Sequence, residues 1–185
     1  MRRLIYSMSV SLDGFIAGPG GNIDWTAPDE ELHRFHNDEV RKLGAHLLGR
    51  RLYETMLYWE TPDRNPSAPD YELEFARIWQ PLSKIVFSTT LDAVRGNATL
   101  RRAGLAETVA ELKEQPGGDV GVGGAGLAAA LIELGLVDEF RLFVYPVVLG
   151  AGTPYLPTLD RRIELELVES RTFGSRVVYT RYQRA

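Results

Sequence analysis

Short apolar runs alternate with helix-length amphipathic segments along most of this chain, and that alternation leaves few folds open. Leu4–Val10, Ala45–Leu48, Lys84–Phe87, Asp119–Val122 and Glu139–Pro146 read as strands. Segments near 29–43, 51–58, 72–79 and 105–114, and the stretch after Gly126 as far as Gly135, read as helices. Strands separated by helices pair in parallel, because the helix carries the chain back to the same end of the sheet. Two late strands, about Glu164–Thr172 and Arg176–Gln183, flank Gly174-Ser175 and form a hairpin instead. The expected fold is three-layer α/β/α: a mixed, mainly parallel sheet, helices on both faces, and a C-terminal antiparallel hairpin. Residues 11–28 and 60–70 carry many Gly and Pro and are expected as loops.

The composition narrows the class further. A length of 185 residues suits one domain spanning 1–185, with enough apolar content, 44%, for a real core. A net charge of -4 argues against a nucleic-acid partner, which needs clustered Lys and Arg. The basic pairs Arg2-Arg3, Arg50-Arg51, Arg101-Arg102 and Arg161-Arg162 are short and scattered. The chain has no cysteine. Disulfides, thiolate metal sites and a Cys nucleophile are therefore excluded, and a reducing, cytoplasmic location is expected. No apolar run reaches membrane length, and Ser7, Ser9, Ser11 and Asp13 break the only stretch that could resemble a signal peptide. His33, His36 and His46 lack metal-ligand spacing, so no metal is expected.

Three strand ends share one character: Leu48-Gly49-Arg50-Arg51, Phe87-Ser88-Thr89-Thr90 and Val122-Gly123-Gly124-Ala125-Gly126. Ligands of open parallel sheets bind beyond the carboxyl ends of strands, where helix starts offer unpaired N–H groups. Arginine adds bidentate donors for phosphate oxygens. Each end has a second reading. Gly49 can serve only a tight turn, Arg50-Arg51 can be a solvated pair, Ser88-Thr89 can cap a turn, and the glycines can pack a helix on a sheet. Gly121, Gly123 and Gly126 also match Gly-x-Gly-x-x-Gly, but the following strand ends in Tyr145-Pro146, without the acid a Rossmann site needs. In the first loop, Asp24 beside Trp25 is a candidate proton donor against an apolar wall. Equally, Asp13 and Asp24 can each stabilise a turn.

Taken in order, Ser11-Leu12-Asp13-Gly14-Phe15-Ile16-Ala17, Leu48-Gly49-Arg50-Arg51-Leu52-Tyr53-Glu54, Lys84–Thr90, Gly123-Gly124, Gly135–Phe140 and Pro146–Gly152 resemble the RibD C-terminal-domain family of riboflavin biosynthesis, within the dihydrofolate-reductase-like superfamily. The resemblance covers nearly the whole chain and implies an NADPH-binding reductase. It places Gly49, Arg50 and Arg51 on the cofactor phosphates and Ser88 and Thr89 at the adenosine side. It matches Gly123-Gly124 to a pair joined by a cis peptide in classical dihydrofolate reductases, with Ala125, Gly126 and Leu127 continuing along the pyrophosphate. Backbone at Ser9, Ile16 and Ala17 would hold the nicotinamide. Leu52 stands where the family has Thr, and Phe15 where riboflavin reductases commonly have Lys. The folate-reductase acid has no clear counterpart, His33 falling near its place.

The expected function is hydride transfer from NADPH to a small heterocyclic, imine or carbonyl substrate, with 5-amino-6-(5-phosphoribosylamino)uracil as the prototype. Asp24 is the candidate acid, and Trp25, Phe15 and His33 are candidate substrate contacts. Pterin reduction, or nucleotide binding without catalysis, are the alternatives. A homodimer is expected through the apolar strand Phe140–Tyr145 and the hairpin around Val177-Val178-Tyr179.

Overall fold

The computed structural model describes residues 1–61 and 67–185, so Pro62 and Pro66 of the expected 60–70 loop lie outside the described residues. The chain runs β1 (Leu4–Ser11), β2 (Phe15–Ala17), α1 (Glu30–Arg41), β3 (Leu43–Gly49), α2 (Arg50–Met56) and α3 (Asp70–Trp79). It continues through β4 (Ser83–Phe87), β5 (Ala98–Arg101), α4 (Leu105–Glu114), β6 (Asp119–Gly123) and α5 (Ala125–Glu133). It ends with β7 (Glu139–Tyr145), β8 (Thr153–Pro154), β9 (Leu165–Thr172) and β10 (Val178–Arg184). Eight strands form one sheet in the order β5-β4-β3-β6-β1-β7-β10-β9, and β2 pairs with β8 in a small second sheet. The pairs from β5 across to β7 are parallel, whereas β10 runs antiparallel to β7 and β9 antiparallel to β10.

The mixed sheet with its terminal hairpin agrees with the sequence pattern. Asp29 caps α1 as expected, its side chain accepting from the Leu32 N–H at 2.9 Å. Some elements differ. β5 and the β2–β8 pair were not expected, because runs of two to four residues are too short to show a period. Arg176 was expected in the last strand but sits in the hairpin turn at φ 66°, and β10 begins at Val178. Strand β7 lies between β1 and β10. It therefore cannot offer the dimer surface expected of Phe140–Tyr145.

Each face of the sheet is packed by helices. On one, Leu4, Tyr6, Val120 and Val122 meet Val109 and Leu112 of α4 and Ala128, Leu131 and Ile132 of α5. On the other, Leu48 and Val86 pack with Phe75 and Trp79 of α3, and Phe143 and Tyr179 pack with Leu32 of α1. Tyr6 and Tyr155 stack at 4.3 Å, and each phenol donates to the other's carbonyl, at 3.0 and 3.1 Å. This fixes the segment after β8 against the central strand.

Two buried charges organise the amino end of the sheet and the end of α3. Glu139 is fully buried; its carboxylate accepts from Arg141 Nε at 2.5 Å, Arg3 Nη1 at 2.8 Å and Gln183 Nε2 at 3.2 Å. Arg141 also pairs with Glu39 of α1, so it carries two carboxylates. Lys84, 1% exposed, donates to the carbonyls of Trp79 at 2.8 Å, Leu82 at 3.0 Å and Gln80 at 3.3 Å and pairs with Glu60 at 3.2 Å. Its ammonium thus gathers carbonyls at and just beyond the end of α3, where the helix supplies no further N–H partners. Burial lowers the Lys84 pKa, while Glu60 acts in the opposite direction. Removing the ammonium strands a buried carboxylate and these carbonyls. Lys84→Met is expected to cost about 2–4 kcal/mol of stability, read as a shifted urea midpoint.

Candidate functional site

The strand residues facing α1 are not uniformly large. On β1, Leu4, Tyr6 and Val10 are buried on the α4/α5 side, while Ile5, Ser7 and Ser9 face a cleft on the other. On β6, the neighbouring strand, Gly121 makes room for the His46 ring and Leu43, which a Cβ there would meet at 2.7 and 2.9 Å. Small residues on β1 thus leave a trough between sheet and α1, of about 990 Å³. That is at the large end of the roughly 300–1,000 Å³ usual for small-ligand pockets. α1 lines it with His33, His36, Glu39 and Val40; Trp59, Phe75 and Trp79 add aromatic surface.

At the carboxyl ends of the strands, β3 and β6 converge. A Cβ built on Gly124 would lie 3.6 Å from Gly49 N and 3.7 Å from Gly49 Cα, so two helix-opening backbones meet there. Gly124 has φ 96°, ψ 122°, which glycine adopts without strain, and it caps α5. Gly49 precedes α2, and Arg50, Arg51, Ala125, Gly126 and Leu127 also line the cleft. Arg50 Nη1 donates to Thr90 Oγ1 at 2.9 Å and Nε to Glu54 at 2.9 Å, which draws the end of β4 into the same polar edge. Ser88 caps the turn there, its Oγ accepting from the N–H groups of Thr90 and Leu91 at 3.2 and 3.1 Å. Thr89 is exposed beside it. The Arg51 guanidinium has no partner among the described residues.

The cleft thus brings together Ser9, Ile16, Ala17, His33, Gly49, Arg50, Arg51, Gly124, Ala125, Gly126 and Leu127. The other candidates sit elsewhere. Gly123 is covered by Leu52, whose Cδ2 would lie 2.2 Å from a Cβ there. It is therefore a packing glycine, in the position where Leu52 departs from the family's Thr. No cis peptide bond occurs among the described residues, so the Gly123–Gly124 link differs from the cis pair expected. Asp24 is exposed and accepts from Asn22 Nδ2 at 3.1 Å in a one-turn 3-10 helix. This corrects its expected place in the cleft wall: as the first residue of that turn it faces outward, although Ile23 and Thr26 reach the cleft. Trp25 packs edge-on against Tyr145 at 5.6 Å, and Phe15 pairs with Pro154 in the small sheet. Neither lines the cleft. Asp13 accepts from Gly150 N at 2.7 Å and Leu149 N at 3.1 Å, tying the first loop to the late one.

The sequence reading missed Ser7, His36, Glu39, His46 and Arg141 as cleft residues. A serine pair at alternate positions of a buried central strand is the signal that could have found the trough. His33 Nδ1 meets Asn37 Oδ1 at 3.1 Å; Asn37 Nδ2 is spent on Tyr71 O and Glu74, so the His33 ring is the donor. Burial lowers the His33 pKa. His46 Nδ1–H donates to Leu47 O at 3.0 Å.

Among the described residues no helix is long and apolar enough to cross a membrane, and no cluster of His, Cys, Asp or Glu could hold a metal. A mixed sheet of this order, with its cleft at the converging carboxyl ends of β3 and β6, is a dihydrofolate-reductase-like fold. The dihydrofolate reductase of Enterococcus faecalis, complexed with NADP(H), has the same fold: TM-score 0.65, 17% identity, 98% of this chain and 96% of that one covered. The RibD C-terminal domain model matches residues 2–179. The chain belongs to the RibD C-terminal domain family, whose members are reductase-like proteins. It is 38% identical to the uncharacterized protein YyaP of Bacillus subtilis over 98% of this chain and 94% of that one. A deaminase/5-amino-6-(5-phosphoribosylamino)uracil reductase of Thermotoga maritima shares the fold at TM-score 0.67 and 17% identity, all of this chain covering 57% of it.

The cleft histidines carry a pH signature. Burial pushes His36 down to about 4, with His33 contributing, and pushes His46 down to about 4, with Lys84 contributing, both from 6.5. Between those values the unfolded chain binds protons that the folded chain refuses, so stability falls as pH drops from 6.5 toward 4 and is fully present above 6.5. Depressed carboxylates such as Asp119, ordinarily at 3.8, act only at lower pH. Urea midpoints at pH 7, 5.5 and 4.5 are expected to fall in that order, and less steeply in His46→Gln.

Proposed function

We propose that this protein is an NADPH-dependent oxidoreductase that reduces a small heterocyclic, imine or carbonyl substrate in the cleft between the sheet and α1. The observation that carries this reading is the convergence of Gly49 and Gly124 beside Arg50 and Arg51. Two backbones approach closely there, two helices open, and two cations face one edge. These residues fit a dinucleotide. A Cβ built at Gly126 meets no atom within 4 Å, so the first turn of α5 borders open cleft. The Arg51 guanidinium, unpaired among the described residues, would take a phosphate. Family membership supports the same reading, as do the reductases of the same fold.

NADPH, when bound, supplies a hydride for an electrophilic C=N or C=O. Gly49 to Arg51 and Gly124 to Leu127 would hold its phosphates, with Ser88 and Thr89 at the adenosine side. Backbone at Ser9, Ile16 and Ala17 would border the nicotinamide. The chain's part is positioning and exclusion of water: α1 and the aromatic residues close the trough, while Asp13 holds the two loops at its mouth. The prototype of this substrate class is 5-amino-6-(5-phosphoribosylamino)uracil, the substrate named for the Thermotoga maritima reductase of the same fold; the reading requires of this chain's substrate the heterocycle and not the phosphate.

Arg50 and Arg51 predict a preference for NADPH over NADH. A charge-assisted bond to the 2′-phosphate is worth roughly 1.5–3 kcal/mol, or about tenfold or more in affinity. Calorimetric titration of both cofactors checks this, and equal dissociation constants would refute it. Gly126→Val is expected to weaken NADPH at least about tenfold while leaving the melting temperature near wild type, since valine is no worse than glycine in a helix. Gly124 is a poorer probe, because a side chain at φ 96° strains the fold itself.

We also propose a homodimer. Its support is β9, an eight-residue edge strand with unpaired backbone groups and exposed Leu165, Leu167 and Val168. Light scattering is expected to give twice the 20.7 kDa chain mass, and Leu167→Lys to shift it toward the monomer.

A further inference from the structure

We propose that Ser7 and His36 are the pair that reads the substrate, and that this substrate is an uncharged, unphosphorylated flat heterocycle. The inference rests on the reductase reading above and specifies the compartment that the cofactor residues leave over.

Charge is the first argument. Among the described residues, the arginines lining the cleft are Arg50, Arg51 and Arg141, and no lysine lines it. The first two stand at the converging strand ends. Arg141 is locked between Glu139 and Glu39, and Glu39 itself faces the cleft. Away from the cofactor end, therefore, no unpaired cation lines the cleft among the described residues. A phosphate monoester brings a charge of roughly −1.5 to −2 and is ordinarily met by Arg or Lys. Here it would meet a carboxylate and neutral imidazoles.

Unspent hydrogen-bonding capacity is the second. Ser7 and His36 are both half-buried and both line the cleft, and neither side chain has a hydrogen-bond partner among the described residues. By contrast, the Ser9 hydroxyl is engaged with Tyr145, and His33 and His46 each spend a ring nitrogen on the protein. Both groups stand over the β1–β7 strand pair. The β1–β7 register sets Ser7 opposite Arg141 and Ser9 opposite Phe143, and the His36 ring lies 4.3 Å from that of Phe143. Polar groups in such a wall are costly unless something pairs with them. A neutral imidazole offers one donor and one acceptor, as a hydroxyl offers both. Together they match the alternating N–H and C=O edge of a pyrimidine or pterin. Trp59 and Phe75, 4.6 Å apart in the same cleft, provide apolar faces for a flat ring.

The test uses the full chain saturated with NADPH. Binding of 5-amino-6-ribitylaminouracil, its 5′-phosphate and 7,8-dihydropterin is measured by calorimetry, and NADPH affinity is measured separately. At least one unphosphorylated heterocycle is expected to bind, with the ribityl compound about tenfold or more tighter than its phosphate. His36→Leu and Ser7→Ala are each expected to weaken the bound heterocycle about tenfold, with NADPH affinity changed less than twofold and an unchanged circular dichroism spectrum. His36→Gln, which keeps a donor and an acceptor, is expected to recover part of the loss. Tighter binding of the phosphate, no binding of any of the three, or wild-type binding in both His36→Leu and Ser7→Ala would each overturn the proposal. Failure of the wild-type chain to bind NADPH would instead overturn the reductase reading beneath it.

Discussion

The site depends on the absence of bulk in the middle of the sheet. A parallel strand covered on both faces normally carries large branched side chains on each. β1 does so toward α4 and α5 but presents Ser7 and Ser9 toward α1. Helix α1 cannot settle onto that stretch. It is held off by the aromatic cluster of Phe143 and Tyr179 on one side and by that of Phe75 and Trp79 on the other. The trough is what remains between these two supports.

The amino end of the trough is closed by charge. Glu139 lies where no water reaches, and Arg141, Arg3 and Gln183 account for its oxygens. Arg141 reaches on to Glu39 and so joins β7 to α1. The arrangement is self-neutralising, which removes Arg141 from the cations open to a ligand. The opposite end has a different character: Arg50 and Arg51 stand where backbone N–H groups of two helix starts meet, and Arg51 has no partner among the described residues. One cleft thus has a cationic end, a neutral polar middle and a sealed ionic floor. That gradient favours a charged cofactor at one end and an uncharged reactant beside it.

Several residues that looked chemical in the sequence have structural work. Asp13 pins the late loop through Leu149 and Gly150, and its Ser11 and backbone bonds hold its carboxyl below the ordinary range. Asp24 shapes an exposed turn. Gly123 accommodates Leu52. Conversely, His36 and Ser7 carry no motif and were not site candidates in the sequence, yet each is a polar side chain left unpaired in the cleft wall among the described residues.

Legible in the residues alone were the fold class, the parallel order implied by alternating strands and helices, the terminal hairpin and the three strand ends that carry glycine, arginine or hydroxyl residues. Those features are local, set by periodicity and by glycine and hydroxyl residues at element ends. The family was also legible, because its motifs are contiguous. Which face of each strand meets α1, that Arg141 is spent on two carboxylates, and that Asp24 turns outward were set by tertiary packing alone. The reason is physical. Side-chain direction on a strand follows from a register set by its partners, and whether a charge is free depends on residues more than a hundred positions away, as Arg141 and Glu39 show.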